Sequence, residues 1–215
     1  MGHMTTRTAT IVIGALIAVV IGAAWYWYGS LPDPIASHWN AAGEADGVMA
    51  KFWGLALFPL VMGGLFGLFL LIPVIDPLRR NIEGFRREFN IFFIAIIAFF
   101  TYLFALVLAW NFGARFPFGG AIAPALGALI FLIGVILPRT KRNWFFGIRT
   151  PWTLSSDRAW TETHRLGGRL FQIAGILAVG GAIAPSYAFV LAIGPLIAAV
   201  LILLPYSYIA YRRER

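Results

Sequence analysis

The stretch FWGLALFPLVMGGLFGLFLLIPVI, residues Phe52–Ile75, contains no charged residue. At about 1.5 Å per residue, a helix of this length crosses the ~30 Å hydrocarbon core of a bilayer. Hydrophobic residues make up 60% of the 215-residue chain, and charged residues make up only 12%. A water-soluble domain of this size cannot bury so much apolar surface. The sequence therefore predicts an all-α, polytopic membrane protein.

Five further apolar stretches extend this prediction to a bundle of six transmembrane helices. The six predicted spans are Thr8–Tyr28, Phe52–Ile75, Ile91–Asn111, Gly119–Pro138, Leu170–Ala184 and Tyr187–Tyr208. None contains Asp, Glu, Lys, Arg or His, which proton-coupled carriers and ion pumps normally keep at membrane depth. In the second span, Gly63 and Gly67 form a small-xxx-small pair, which predicts close packing against another helix of the same bundle.

The distribution of cations predicts the orientation of the bundle. With both termini in the cytoplasm, all but Lys51 and Arg115 of the 17 Lys and Arg residues lie on the inner side. This topology signal also explains the net charge of +8, so we expect no direct nucleic-acid partner. The two long connections, 30–51 and 139–169, then lie on opposite sides of the membrane. That arrangement is the outline of a 3+3 inverted repeat.

The sequence divides into a short N-terminal segment and two halves of three spans. Residues 1–7 are interpreted as a cloning remnant, Met1–Met4, followed by an N-terminal tail. The first half is 8–111, with the extracellular loop 30–51 and a cytoplasmic amphipathic helix at 77–90. Apolar residues recur there at helical spacing opposite arginines and glutamates. The second half is 119–215, with the cytoplasmic loop 139–169.

The extracellular loop contains LPDPIASHWNAAGEADGVMAK, residues Leu31–Lys51. His38 with Asp33, Glu44 and Asp46 supplies side chains that are able to bind a metal. Their spacing matches no established ligand pattern, so we predict no metal site, although the alternative stays open. We favour the interpretation that His38 and Trp39 pack the loop onto the outer ends of the spans.

The cytoplasmic loop contains NWFFGIRTPWTLSSDRAWTETHR, residues Asn143–Arg165. Either Ser155 or Ser156 is predicted to cap a helix whose first turn carries Asp157. Capping explains the serine better than a hydrolase role does, because a nucleophile needs a base within reach and an oxyanion pocket. We therefore predict no catalytic residue.

Three other side chains of this loop have expected positions. Trp160 and His164 are four residues apart and share one face of the predicted helix. Arg149 is placed to hold an anion, such as a lipid phosphate or a partner's carboxylate, against the start of that helix. An interfacial helix anchored to headgroups by its tryptophans and arginines is the alternative interpretation of the loop.

The two connections, in this order, resemble the signatures of the SdpI family and of a domain of unknown function associated with it. The extracellular signature residues are His38, Trp39, Asn40, Gly43, Asp46, Gly47 and Lys51. The cytoplasmic signature residues are Asn143, Gly147, Arg149, Thr150, Pro151, Trp152, Trp160, Thr163, His164 and Arg165. Together with the six spans, the resemblance covers nearly the whole chain.

The resemblance implies an immunity and signal-transduction protein of a prokaryotic cytoplasmic membrane, without a cofactor or enzymatic activity. Such a protein resists a membrane-active toxic peptide and retains a transcriptional repressor at the membrane. The extracellular signature would contact a secreted peptide toxin. The cytoplasmic signature would contact a repressor protein or the headgroups of membrane lipids.

Two alternatives remain from the residues themselves. A small-solute or lipid transporter built on an inverted repeat is suggested by the long loops on opposite faces. An enzyme that modifies a lipid headgroup is suggested by His38 and His164.

Overall fold

The computed structural model describes residues 5–40 and 42–214. The predicted cloning remnant, Met1–Met4, lies outside these residues. The described residues are mostly helical, as the sequence predicts, and contain one small β-hairpin.

The described residues form eight helices and two strands. In chain order they are α1 (Thr6–Trp27), β1 (Ile35–Trp39), β2 (Ala45–Met49), α2 (Lys51–Ile75), α3 (Arg79–Glu83), α4 (Arg86–Asn111), α5 (Phe118–Ile136), α6 (Pro151–Ser155), α7 (Asp157–Val179) and α8 (Ala188–Arg212). Short 3₁₀ turns follow α1, α5 and α7, and another precedes α8. Helices dominate because a chain in lipid must satisfy its backbone hydrogen bonds internally.

Five helical segments among the described residues are long and apolar enough to cross a membrane. They are Thr6–Ser30, Lys51–Ile75, Arg86–Asn111, Phe118–Arg139 and Pro185–Arg212. These segments correspond to the first four predicted spans and the last one. They make the chain a multi-pass membrane protein.

The predicted fifth span, Leu170–Ala184, is the second half of α7 and the turn that follows it. The first half of α7 carries Asp157, Arg158, Glu162, Arg165 and Arg169, so the whole helix is too polar to qualify as a span. The apolar half nevertheless packs antiparallel along α5. A Cβ on Gly134 would lie 2.7 Å from the carbonyl oxygen of Gly168, and a Cβ on Gly127 would lie 2.6 Å from that of Gly175.

The predicted amphipathic helix at 77–90 is wrong as a single helix. The structure has the five-residue α3, a turn through Gly84 and Phe85, and then the start of α4 at Arg86. Glycine is a poor helix former, and a Cβ on Gly84 would lie 2.7 Å from Nζ of Lys141. Ile82 and Phe85 are buried, so this segment packs against the bundle and does not lie freely on the lipid surface.

The two halves of the bundle pack around different kinds of core. In the first half, α1, α2 and α4 pack on one another around large apolar side chains. These include Ile13, Val20, Met62, Phe69, Phe89, Phe93, Ile97 and Phe104. In the second half, α5, α7 and α8 pack on one another through smaller residues, and α4 packs on α5 to join the halves.

The connection predicted as a plain loop, 30–51, contains the antiparallel hairpin β1–β2, so the fold is not strictly all-α. The chain reverses near Gly43, whose φ of 84° is a conformation that favours glycine. His38 lies opposite Gly47 in the register. A Cβ at Gly47 would lie 2.8 Å from the Cβ of His38, so glycine is needed there for the strands to approach.

Candidate functional site

The hairpin is anchored to the ends of the fourth and fifth helices. The side chain of Asn111 accepts a hydrogen bond from the backbone N–H of Ala36 (2.8 Å) and donates one to its carbonyl oxygen (3.0 Å). The ring of Trp39 stacks on Phe118, with centroids 3.8 Å apart, and meets Trp110 edge-on at 5.7 Å. The predicted packing of Trp39 onto the ends of the spans is confirmed.

A second set of contacts ties the hairpin to the start of α2. The backbone N–H of Lys51 donates to Asp33 (3.0 Å), and its ammonium group donates to the carbonyl oxygen of Leu31 (3.1 Å). That ammonium also lies 4.7 Å from the ring centroid of Tyr28. The signature residue Lys51 therefore holds the hairpin in place.

Two of the four candidate metal ligands pair with each other, and the other two have separate partners. His38 Nδ1 is 2.5 Å from a carboxylate oxygen of Asp46, Glu44 accepts from Asn40 (3.2 Å), and Asp33 is engaged by Lys51. The described residues contain no group of three or more His, Cys, Asp or Glu side chains placed to hold a metal ion. His38 is well exposed, with 70% of its side chain accessible, so Trp39 and not His38 packs the hairpin onto the spans.

A cavity of about 660 Å³ lies under the hairpin, between the two halves of the bundle. Ser37, His38, Trp39 and Asn40 form its upper edge. Side chains of α2, α4, α5 and α8 form its walls, which are almost wholly apolar. The extracellular signature thus covers a pocket, which the sequence alone does not indicate.

On the opposite face, the connection after α5 is folded by buried polar side chains. Asn143 is fully buried, and its amide makes four hydrogen bonds. It accepts from the backbone N–H groups of Phe145 (3.0 Å) and Phe146 (2.6 Å) and donates to the carbonyl oxygens of Lys141 (2.9 Å) and Phe146 (2.9 Å). This signature residue builds a turn and is not available to a partner.

Trp160 and His164 lie on one face of α7, as predicted, and that face points into the protein. Their rings stack with centroids 4.0 Å apart, and both residues are about 1% exposed. The Trp160 indole N–H donates to the carbonyl oxygen of Thr140 (3.0 Å). His164 Nε2 accepts from the backbone N–H of Ile148 (2.9 Å), so Nδ1 carries the proton and donates to the carbonyl oxygen of Trp160 (2.8 Å).

Short side chains connect the same loop to α8. Thr150 caps α6 together with Thr153 in a capping box, with Pro151 at the first helical position. The Thr150 hydroxyl also donates to the hydroxyl of Ser207 on α8 (3.1 Å). Trp152 is half-buried, with its ring 5.1 Å from that of Tyr208. The hydroxyl of Thr163 is buried and has no hydrogen-bond partner within 5–40 and 42–214.

The predicted cap of α7 is confirmed at Ser156, whose hydroxyl accepts from the N–H of Ala159 (2.9 Å). The cation at this helix start is Arg142, which donates to Asp157 (2.8 Å). Arg149, which we expected there, donates instead to the carbonyl oxygen of Trp144 (2.5 Å). Its guanidinium remains at the surface.

Two residues that sequence reasoning missed link the halves at this face. Asp76 is buried at the end of α2 and accepts from the N–H of Leu78 (2.6 Å) and of Trp144 (2.9 Å). Asn81 donates to the carbonyl oxygen of Arg142 (2.7 Å). The local signal for Asp76 is that it is a lone carboxylate directly after an uncharged span, but nothing local indicates its bond to Trp144.

The connection 139–169 exposes a set of basic and aromatic side chains. We call it the inner patch: Lys141, Trp144, Phe145, Arg149, Arg158 and Arg165. The Trp144 side chain is about half exposed. Among the cytoplasmic signature residues, the long side chains of Arg149 and Arg165 are the ones left for a partner or for headgroups.

We expect stability to depend on pH through His164, which lies ahead of the apolar half of α7. Burial lowers its pKa from 6.5 to about 4, although the hydrogen bond to Trp160 opposes the shift. The unfolded chain takes up a proton below pH 6.5, whereas the folded protein does so only near pH 4. Stability present above pH 6.5 is therefore lost as pH falls toward 4, by about 3 kcal/mol in total.

Thermal unfolding in detergent across this pH range measures the loss. His164→Gln keeps an acceptor near Ile148 and cannot titrate, so its unfolding midpoint should fall less with acid than that of the unaltered chain. Equal acid sensitivity of the two proteins would show that His164 is not the group responsible.

Comparison with known proteins agrees with this geometry. The sequence profile of the SdpI/YfhL protein family matches residues 139–209, which include every residue of the cytoplasmic signature. The profile of a domain of unknown function (DUF1648) matches residues 13–63, which include the hairpin. The two profiles therefore cover the two signature regions, one at each face of the bundle. The predicted resemblance to the SdpI family is confirmed.

A curated relative of the SdpI family aligns along most of the chain. Immunity protein SdpI of Bacillus subtilis (strain 168) is 23% identical over 189 residues, which is 86% of this chain and 87% of the relative. No solved structure matches the chain significantly. In this chain, most polar residues of both signatures are occupied in building the hairpin and the connection 139–169.

Proposed function

We propose that the chain is a membrane immunity protein that protects its cell from a membrane-active toxic peptide. The observation that carries the proposal is the alignment of Immunity protein SdpI with 86% of the chain, through both signature regions. The family is not an enzyme family. Both ring nitrogens of the buried His164 are already hydrogen-bonded, which gives no support to a catalytic role.

We propose a topology of six crossings with both termini in the cytoplasm. The apolar half of α7 would add one crossing to the five long apolar segments. It supports this role because it runs beside α5 at separations that only glycine permits. Lys51 and Arg115 are then the two cations outside, in accord with the positive-inside rule. The hairpin faces the side from which a toxin arrives, and the inner patch faces the cytoplasm.

We propose that the inner patch retains a repressor protein at the membrane, with anionic lipid headgroups as its other partner. Exposed arginines beside exposed aromatic rings suit either an acidic protein surface or an anionic membrane surface. Trp160 and Thr163 do not belong to this contact, because both are buried.

Cells that express the chain should survive exposure to a membrane-active peptide that kills cells lacking it. Trp39→Ala should remove most of this protection. The substitution deletes the ring that stacks on Phe118 and undocks the hairpin, at a cost of about 2–3 kcal/mol. Survival curves over a peptide dilution series measure the effect.

Trp53→Ala is the matched control, because Trp53 is an exposed tryptophan at the same membrane face, outside the hairpin. It should leave protection unchanged. If cells that express the unaltered chain die at the same peptide dose as cells that lack it, the immunity role is ruled out.

Repressor retention is tested in a separate experiment. Trp144→Ala with Arg149→Gln should release a membrane-held fluorescent repressor without loss of protection. The matched control is Trp25→Ala with Arg115→Gln on the outer side, where Arg115 also donates to a tryptophan carbonyl oxygen. Equal retention in both double variants would show that the inner patch does not hold the repressor.

A further inference from the structure

We propose that the pocket under the hairpin binds the acyl chain of a fatty acid or phospholipid that enters from the outer half of the bilayer. The inference concerns the cavity of about 660 Å³ between the two halves of the bundle. It does not depend on the immunity role. A cavity of this size is in the range of ordinary small-molecule sites.

The position of the pocket gives an acyl chain access from the membrane. α2 packs on α1 and α4, whereas α8 packs on α5 and α7, so α2 and α8 face each other across the cavity. Leu57 of α2 and Phe189 of α8 line it and are also 49% and 59% exposed. Two apolar side chains that are both exposed and pocket-lining mark a sideways opening into hydrocarbon.

The polarity of the walls changes with depth as an amphiphile requires. Polar groups of the lining lie at the hairpin, on Ser37, His38 and Asn40. Below them the lining on α2 continues from Gly54 to Val61, a depth of about 10 Å at 1.5 Å per helical residue, and offers only apolar groups. An acyl chain fits this gradient with its carbonyl end at the hairpin.

Trp39, which lines the pocket, carries a buried polar atom that has no hydrogen-bond partner among the described residues. Its indole Nε1 is buried and has no hydrogen-bond acceptor within 5–40 and 42–214. A buried donor without an acceptor costs about 1–3 kcal/mol. A ligand oxygen would have to displace the surrounding side chains to reach this donor, so the fit of an acyl chain rests on the sideways opening and the polarity of the walls.

A polar solute or an extended peptide fits the walls less well. Each unpaired N–H or C=O group held against apolar walls costs several kcal/mol. An acyl chain brings no such group below the hairpin. An apolar helical peptide would satisfy its own backbone, and the experiment is arranged to detect it.

The test uses the purified full chain in phosphatidylcholine–phosphatidylglycerol vesicles. Each sample contains a trace of a long-chain fatty acid with a photoactivatable diazirine on the chain, or of a phosphatidylcholine with the same chain. Irradiation followed by peptide mass spectrometry should find labels concentrated on the pocket walls of α2 and α8. A label from one probe alone identifies the free acid or the membrane lipid as the source.

Filling the pocket should lower wall labelling about tenfold, because the loss of even two methylene contacts costs roughly that factor. Val61→Phe fills it from α2 and Ile193→Phe from α8. Leu60→Phe and Ile197→Phe are matched controls on exposed faces of the same helices, outside the pocket. The two pocket variants address the same cavity from separate helices, so misfolding of one leaves the other as a test.

The proposal is overturned if labels spread evenly over the exposed helix faces and the pocket variants do not change them. It is also overturned if neither lipid probe labels the walls while a diazirine-bearing toxic peptide does. That second result would assign the cavity to a peptide.

Discussion

Replacing Gly175 by leucine should separate α7 from α5 and sharply reduce the amount of folded protein in the membrane. A Cβ at Gly175 would lie 2.5 Å from the backbone nitrogen of Phe131 and 2.6 Å from the carbonyl oxygen of Gly127. Backbone atoms cannot rotate away as a side chain can. We expect a loss on the order of 3 kcal/mol or more, because helix association in lipid depends on close packing of small residues.

Gly63→Leu is the matched control, since a Cβ there would meet no atom within 4 Å. This variant should have a membrane level and a thermal unfolding midpoint close to those of the unaltered chain. Membrane levels by immunoblot and the thermal unfolding midpoint in detergent measure the two variants side by side. Equal stability of the two variants would contradict the close approach of α5 and α7.

The same glycines show why one prediction from the sequence is wrong. Gly63 and Gly67 match the small-xxx-small pattern, yet a Cβ at either would meet nothing within 4 Å. The close contacts in the bundle come from Gly127 and Gly134 on α5 against Gly168 and Gly175 on α7. Their spacing of seven keeps each pair on one helix face. A short motif identifies a helix with a small face and does not identify the helix that packs against it.

The membrane helices were predictable because one physical rule decides them. A run of apolar residues long enough to cross the bilayer must become a helix, whatever its neighbours are. The predicted fifth span, Leu170–Ala184, and the segment 77–90 were harder to predict. In α7, a charged half and an apolar half form one continuous helix. The break between α3 and α4 at Gly84 lies against the side chain of Lys141, which is far away in the sequence. Such features depend on tertiary contacts that hydropathy does not contain.

The functional surfaces were only partly predictable, for the same reason. Caps are local, so Ser156 could be found from its neighbours. The link between Asp76 and the backbone of Trp144 joins residues 68 positions apart, and no local pattern reveals it. Trp160 and His164 were correctly placed on one face, but the sequence does not say that this face is buried.

Gly147→Ala should destabilise the cytoplasmic connection by roughly 3–5 kcal/mol. Gly147 has a φ of 115°, which strains any residue with a side chain. A Cβ there would also lie 2.4 Å from Nε2 of His164 and 3.2 Å from the ring of Trp160. The imidazole would have to move, which breaks its hydrogen bond with Ile148 and leaves buried polar groups unpaired. The thermal unfolding midpoint at neutral pH measures the loss.

Gly113→Ala separates backbone strain from this clash. Gly113 also has a positive φ, 98°, but a Cβ there would meet nothing within 4 Å. The expected cost is about 1–3 kcal/mol of strain alone. If Gly147→Ala is no more destabilising than Gly113→Ala, then the proposed contact with His164 does not exist.

The contact itself can be isolated by making Gly147→Ala in a His164→Ala background, where the new methyl group has room. Its additional cost should then fall to that of Gly113→Ala, so the two substitutions should be strongly non-additive. This result would bear on function as well as on stability. A signature glycine that serves the stacking of Trp160 and His164 acts through the fold. A loss of protection or of repressor retention in Gly147→Ala would then reflect a displaced inner patch, whereas loss in a stable Arg149→Gln variant would point to direct contact with a partner.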